Sequence, residues 1–252
     1  KLLILFLLLL PINSLGQKTH AQIAAQNADT IVSVNVAKTD GTTYSGTGFI
    51  VSANGLVATA GHVVEDAIFI NLTFKNGAVS SEAVLLDKSQ NPEIDLALLK
   101  IKAENLPYIT FDNSDKARAG QEITVIGNPR RLQNTVTSGL ISQIRQVSRG
   151  VRWFQISAPV SPSSSGSPVF NDKGYVIGIA LSSLKGEDNQ NINFAIPSNY
   201  LQQLMLNNGF KPCLPAADAK QKANQPRNWV QMFKNHVQKC WQILEEKVSP
   251  SK

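Results

Sequence analysis

Between residues 29 and 197 the chain alternates short apolar runs with turn residues, and the runs are too short to be helices. Ile31-Val32-Ser33-Val34-Asn35-Val36 repeats with a period of two, the spacing that puts alternate side chains on opposite faces of a strand, and Asp40-Gly41 follows as a turn. Phe49-Ile50-Val51 and Leu56-Val57-Ala58-Thr59 flank Asn54-Gly55, a pair that tolerates the positive backbone angles of a tight hairpin. Asn76-Gly77 separates runs 68–72 and 79–86 in the same way, and 94–101 is a sixth run. After Asn113-Ser114-Asp115 the pattern restarts with 122–126, 135–144, 153–157, 169–170, 175–181 and 192–196. Six strands on each side, with no helical period between them to make parallel crossovers, predict an all-β fold of two six-stranded antiparallel β-barrels, 27–115 and 116–197.

Beyond Pro197 the period changes. Ser198 is placed to cap a helix through Asn207, with Leu201, Leu204 and Met205 on one face and Gly209 as its stop. Residues 211–225 have linker composition, rich in Pro, Ala, Lys and Gln. In 226–248, Trp229, Phe233, Val237, Cys240, Leu244 and Val248 fall at steps of three and four, an amphipathic helix expected to pack against the barrels, the alternative being a partner-docking surface. At the other end, Lys1 leads nine apolar residues that stop at Pro11. A bilayer span needs about 20 such residues, so residues 1–21 read as a secretory signal peptide with small residues suited to cleavage after Gly16 or Ala21; a membrane anchor or a buried strand is the alternative. No other stretch is apolar enough to span a membrane.

Composition narrows the function without naming it. A net charge of +6 is scattered along the chain, and no aromatic and basic stripe marks a nucleic-acid face. Three dispersed histidines and two distant cysteines offer no metal-ligand spacing, and no phosphate-cradling glycine loop implies a cofactor. Export would expose Cys213 and Cys240 to an oxidising compartment. If bridged, these residues, 27 apart, would close a loop that contributes about 3 kcal/mol on the chain-entropy model; two buried thiols are the alternative.

Three residues carry candidate chemistry. Pro162-Ser163-Ser164-Ser165-Gly166-Ser167-Pro168 is a polar turn before the apolar Val169-Phe170, a setting that can lift one hydroxyl above a sheet. His62 follows Thr59-Ala60-Gly61 directly after a strand, whereas His20 lies at the signal-peptide boundary and His236 in the tail. Asp95 stands at the mouth of Leu96-Ala97-Leu98-Leu99, where a carboxylate is costly unless it accepts hydrogen bonds. The order His62, Asp95, Ser165, with spacings of 33 and 70, is the order of the double-barrel serine proteases.

Six collinear motifs extend that order: Gly46-Thr47-Gly48-Phe49-Ile50-Val51 through Ala58-Thr59-Ala60-Gly61-His62-Val63-Val64, Asp95-Leu96-Ala97-Leu98-Leu99, Ile126-Gly127-Asn128-Pro129, Ser165-Gly166-Ser167-Pro168-Val169-Phe170, Val176-Ile177-Gly178-Ile179 and Asn193-Phe194-Ala195-Ile196-Pro197. Together they resemble the trypsin-like peptidase domain of HtrA-like proteases over most of 29–209, and more distantly the glutamyl endopeptidases. The resemblance implies an exported serine endopeptidase, periplasmic or secreted, acting on polypeptides with no cofactor. Ser165 would be the nucleophile, His62 the general base and acid, Asp95 its orienting carboxylate, and the backbone N–H groups of Ser163 and Ser165 the oxyanion hole. HtrA-like enzymes usually carry Gly where this chain has Ser163 and Ser167, so the side chain at Ser163 is expected to hinder the turn that points its N–H into the oxyanion hole and to lower efficiency. That departure motivates the alternative function, a catalytically silent protease fold used for binding or scaffolding. The stretch after Asn207 does not resemble the PDZ domain of many HtrA-like proteins, and peptide-sensing regulation through such a domain is not expected. Ala180 stands where glutamyl endopeptidases place a histidine, and Pro159 and Val160 precede the loop where trypsin has an acidic residue. A small or medium apolar residue before the cut is therefore expected.

Overall fold

The computed structural model describes residues 16–128, 132, 134–181 and 192–215. Thirteen strands and two α-helices follow in the order α1 (His20–Asn27), β1 (Ile31–Lys38), β2 (Thr43–Ser52), β3 (Leu56–Ala60), β4 (Ala67–Phe74), β5 (Val79–Ser80), β6 (Val84–Lys88), β7 (Leu96–Lys100), β8 (Glu122–Gly127), β9 (Thr135–Ser148), β10 (Val151–Ile156), β11 (Pro168–Phe170), β12 (Val176–Leu181), β13 (Asn193–Pro197) and α2 (Ser198–Asn207). Val32, Val34 and Val36 share a buried face of β1; on the other face Ile31 and Ser33 are buried as well, and Asn35 bonds Asn71 and Thr73 of β4. In the hairpin turns the glycine takes a left-handed angle, with φ of 81° at Gly41, 85° at Gly55 and 83° at Gly77, while Asp40, Asn54 and Asn76 before them do not. In the first of these, the Thr42 hydroxyl and then its N–H bond Asp40 and hold that carboxyl below its usual range.

The second half is a closed barrel of six strands, β10-β13-β12-β11-β8-β9, around Ile123, Val125, Phe154, Val169 and Ile177. The first half departs from six strands: it is a seven-stranded sheet ordered β5-β4-β1-β2-β3-β7-β6. The run 79–86 divides, because Val79 and Ser80 pair with β4 while Val84 and Leu85 pair with β7 at the opposite edge. Residues 81–83 span from one edge to the other, so the sheet curls on itself without completing a ladder.

At the helices the structure adds one correction and one new element. Ser198 is the first residue of α2 rather than its cap, which is Pro197; the Ser198 hydroxyl donates to the Asp112 carbonyl instead. A helix, α1, stands where the signal peptide was read to extend to Ala21. The Thr19 side chain caps it in a capping box with Gln22, Ile23 is buried, and His20 Nδ1 lies 2.7 Å from the Thr124 hydroxyl of β8. Inside the stretch read as linker, the Cys213 carbonyl accepts from Phe111 N–H at 2.8 Å. Cys213 Sγ lies 3.8 Å from the Thr110 hydroxyl, whereas Cys240 and the helix at 226–248 lie outside the described residues.

Candidate active site

Strand register brings His62 to Asp95. β3 and β7 run antiparallel with Ala60 opposite Leu96, so the residues just beyond that pair emerge at the same end of the sheet. A 3-10 turn, Gly61–Val63, then carries His62. The Asp95 carboxylate accepts twice from this residue: Oδ1 takes the His62 N–H at 2.7 Å and Oδ2 takes the ring at Nδ1. A carboxylate can only accept, so Nδ1 carries a proton, and in the neutral ring Nε2 is the nitrogen left with the lone pair. The Tyr44 ring meets the imidazole edge-on at 6.3 Å, and the Lys38 ammonium lies 5.6 Å from the Tyr44 ring centroid.

The serine loop between β10 and β11 is built from backbone hydrogen bonds. Ser164 N–H donates to Ser161 O at 2.9 Å, Ser167 N–H to Ser164 O at 3.0 Å and Gly166 N–H to Ala180 O at 2.8 Å. The two successive turns need left-handed residues, and φ is 71° at Ser163 and 90° at Gly166. Glycine takes such angles freely; a residue with a Cβ does so at about 1–2 kcal/mol. At Gly166 no side chain fits, since a Cβ there would lie 2.1 Å from the Thr47 carbonyl oxygen. Ser163 thus forms the turn despite its side chain, and among the described residues its N–H joins no backbone hydrogen bond.

Strand β2 joins the two parts. Thr47 N–H donates to the Ser165 carbonyl at 2.9 Å, and the Thr47 hydroxyl donates to the Ser163 carbonyl at 2.9 Å while accepting from Asn128 N–H at 2.9 Å. Next to it, a Cβ on Gly46 would lie 2.6 Å from a Val63 methyl and 3.2 Å from the Ser165 carbonyl oxygen. The bare face of Gly46 is what lets the turn of His62 and the loop of Ser165 approach. Ser165 itself is fully buried.

A cleft of about 830 Å³ opens beside the pair, lined by His62, Asp95, Tyr44 and Lys38 from the first half and by Trp153 and Leu181 from the second. Trp153 packs on Phe194 with ring centroids 5.5 Å apart, and its indole N–H donates to the Glu93 carbonyl at 2.7 Å. The Ser148 hydroxyl bonds the Glu93 carboxylate, so the segment leading into Asp95 is tied to the second barrel at two points. Among the described residues no group of three His, Cys, Asp or Glu side chains could hold a metal ion, and no helix is long and apolar enough to cross a membrane.

Thr47 and Trp153 were not singled out from the sequence. Thr47 lay inside a motif as one small residue between two glycines, and Trp153 read as the start of a strand. A hydroxyl that stays buried among apolar neighbours is the one signal that marks Thr47.

The model of the trypsin-like peptidase domain matches residues 46–179. A relative from Chlamydia trachomatis, named Probable periplasmic serine endoprotease DegP-like, is 43% identical over 159 residues, 61% of this chain and 31% of its own. The human Serine protease HTRA4 is 37% identical over 170 residues, 64% of this chain and 34% of its own. The chain thus spans about a third of the length of these curated relatives. Among solved structures, the HtrA-type protease AlgW with tripeptide superposes with a TM-score of 0.67 at 30% identity, covering 77% of this chain and 65% of that one.

Proposed function

From the premise that the chain belongs to the trypsin-like peptidase family, we propose that it is an exported serine endopeptidase working through Ser165, His62 and Asp95. The observation that carries the reading is the double acceptance by Asp95, which fixes the His62 ring and leaves Nε2 as the base. A serine hydroxyl is a poor nucleophile near neutral pH and needs such a base. Nε2 takes the Ser165 proton as Oγ adds to the substrate carbonyl carbon, and the carbonyl π pair moves to oxygen. The N–H groups of Ser163 and Ser165 receive that oxyanion, with one donor typically worth about 3 kcal/mol. His62 then gives its proton to the departing amine as the C–N bond breaks. Water repeats the sequence on the acyl-enzyme and restores the Ser165 hydroxyl. Polypeptides are the substrate class, and the three side chains with two amides supply every group the reaction uses.

For export, α1 favours cleavage after Gly16 over cleavage after Ala21. The second cut would divide the helix and remove its Thr19 cap, while the first leaves both, along with the bond from Lys18 N–H to Asp172 O at 2.7 Å. Amino-terminal sequencing of the exported protein should begin at Gln17; a start at Gln22 would reverse the choice.

The reaction reading is tested with a fluorophosphonate probe, which should label the protein and fail to label Ser165→Ala. Labelling that persists in the variant would remove Ser165 from its role. A folded protein that never labels would favour the silent scaffold, whose motive is the side chain at Ser163.

A further inference from the structure

Ser163 raises a question that a glycine at the same place would not. It sits at a φ of 71°, where a residue with a Cβ is strained, so contacts around it must hold it there. Relaxing to a negative φ would rotate the peptide groups on either side, turning the Ser163 carbonyl, its N–H, or both. The contacts that oppose this rotation are few. Ser164 N–H and the Ser165 carbonyl are held by Ser161 and Thr47. Among the described residues the Ser163 carbonyl accepts from one group, the Thr47 hydroxyl, at 2.9 Å.

We propose that the Thr47 hydroxyl is the positioning group of the oxyanion loop, holding Ser163 in its left-handed conformation so that the Ser163 N–H faces the developing oxyanion. The geometry suits one hydroxyl well. It donates to Ser163 O and accepts from Asn128 N–H at 2.9 Å, so its proton is committed to the loop. Donor and acceptor bonds made by one group strengthen each other. Thr47 is fully buried, its carbonyl accepts from the Thr59 hydroxyl at 2.7 Å, and β2 pairs with β1 and β3 on either side. The hydroxyl therefore projects from a rigid support. Thr47 does not touch the reacting atoms; it acts through Ser163, and the inference rests on the reading of the Ser163 and Ser165 amides as oxyanion donors.

The proposal makes the value of the hydroxyl depend on the residue at 163. With serine there, removing the hydroxyl frees a strained residue to relax. With glycine there, the left-handed angle carries no strain and the hydroxyl has less to do. A double-mutant cycle of Thr47→Val and Ser163→Gly reads this directly, with the rate of fluorophosphonate labelling resolved into its maximal rate and its half-saturating concentration. For Thr47→Val we expect the maximal rate to fall on the order of 10- to 100-fold, less than the loss on deleting an oxyanion donor outright, with half-saturation near wild type. Thr47→Ser should restore the rate. In the Ser163→Gly background the same valine substitution should cost about 3-fold or less, the mark of two coupled sites. Rates are taken per folded molecule, from the native circular dichroism signal, and Thr47→Ala replaces valine in the cycle if valine prevents folding. Equal losses in both backgrounds, or a change confined to half-saturation, would overturn the positioning role while leaving the protease reading intact. Wild-type protein that does not label defeats the protease reading and this inference with it.

Discussion

The two halves of the molecule hold their contributions to the site by different means. In the first half, His62 is fixed by a side chain: both carboxylate oxygens of Asp95 are spent on it. In the second, the loop of Ser165 is fixed mostly by main chain, through the amides of Ser164, Gly166 and Ser167 and the bond from Thr47 N–H to Ser165 O, with the Thr47 hydroxyl on Ser163 O as the side-chain contribution. A side-chain clamp depends on the chemistry of one residue. A main-chain clamp is indifferent to most side chains but demands particular backbone angles. The first half should therefore fail when a functional group is exchanged, and the second when a backbone angle is denied.

Asp95→Asn is the strongest test of the first statement. The amide can still accept from His62 N–H, but its NH₂ cannot accept from Nδ1–H, so the ring is driven to the wrong tautomer. The rate of fluorophosphonate labelling should fall by about 10⁴-fold, the loss typical of this exchange in a Ser-His-Asp triad, with thermal stability nearly kept. A comparable fall in stability would mean that Asp95 holds the fold rather than the ring.

Gly166→Ala is the counterpart in the second half. It changes no functional group, yet it adds a Cβ at a φ of 90° and 2.1 Å from the Thr47 carbonyl oxygen. Strain and overpacking together predict a loss of about 3 kcal/mol or more in stability. Urea unfolding measures it, and a variant as stable as wild type would show that the loop is not held by its angles.

This division also explains what could be read from the sequence. His62 was legible because the chain has only three histidines and this one follows a strand, and Asp95 because it stands at the mouth of an apolar run; in the structure the Asp95 carboxylate takes the His62 ring at Nδ1. Gly166 was legible as a turn residue. Ser163 was noticed through the family pattern, as an oxyanion donor and as a departure from glycine, and its left-handed angle could not be read from three serines in a row. The strand order of the first half was hidden for a related reason. Run 79–86 looks like one strand, and its division is imposed by the partners at two distant edges, β4 and β7. Thr47 and Trp153 act by touching the opposite half, and contact between halves leaves no local period.

Trp153→Phe probes where the two kinds of clamp meet. Phenylalanine keeps a ring against Phe194 but loses the N–H that the Glu93 carbonyl accepts, two residues before Asp95. One hydrogen bond is worth about 1 kcal/mol net, which converts to a labelling rate lowered roughly 5-fold if the whole effect reaches Asp95. An unchanged rate would confine Trp153 to packing and keep the first-half clamp independent of the second barrel.

The smallest effects should differ in sign between the halves. Thr59 and Ser167 are both fully buried hydroxyl residues. In the first half, the Thr59 hydroxyl donates to the Thr47 carbonyl at 2.7 Å. In the second, Ser167 Oγ has no hydrogen-bond partner among the described residues; it fills space left by Gly127, where a Cβ would lie 2.2 Å from it. Thr59→Val deletes a satisfied hydroxyl together with its bond to the Thr47 carbonyl, and should destabilise the protein by about 1 kcal/mol. Ser167→Ala deletes an unsatisfied hydroxyl and keeps the backbone bonds of residue 167 to Ser164 and Ala180. Its desolvation cost is removed and only a small void is left, so the variant should gain up to about 1 kcal/mol. Urea midpoints at an unchanged slope give both values, and the labelling rate of Ser167→Ala should match wild type. If Ser167→Ala instead loses stability as Thr59→Val does, the hydroxyl has a partner in solution, and a second side chain joins the Thr47 hydroxyl in holding the loop that carries Ser165.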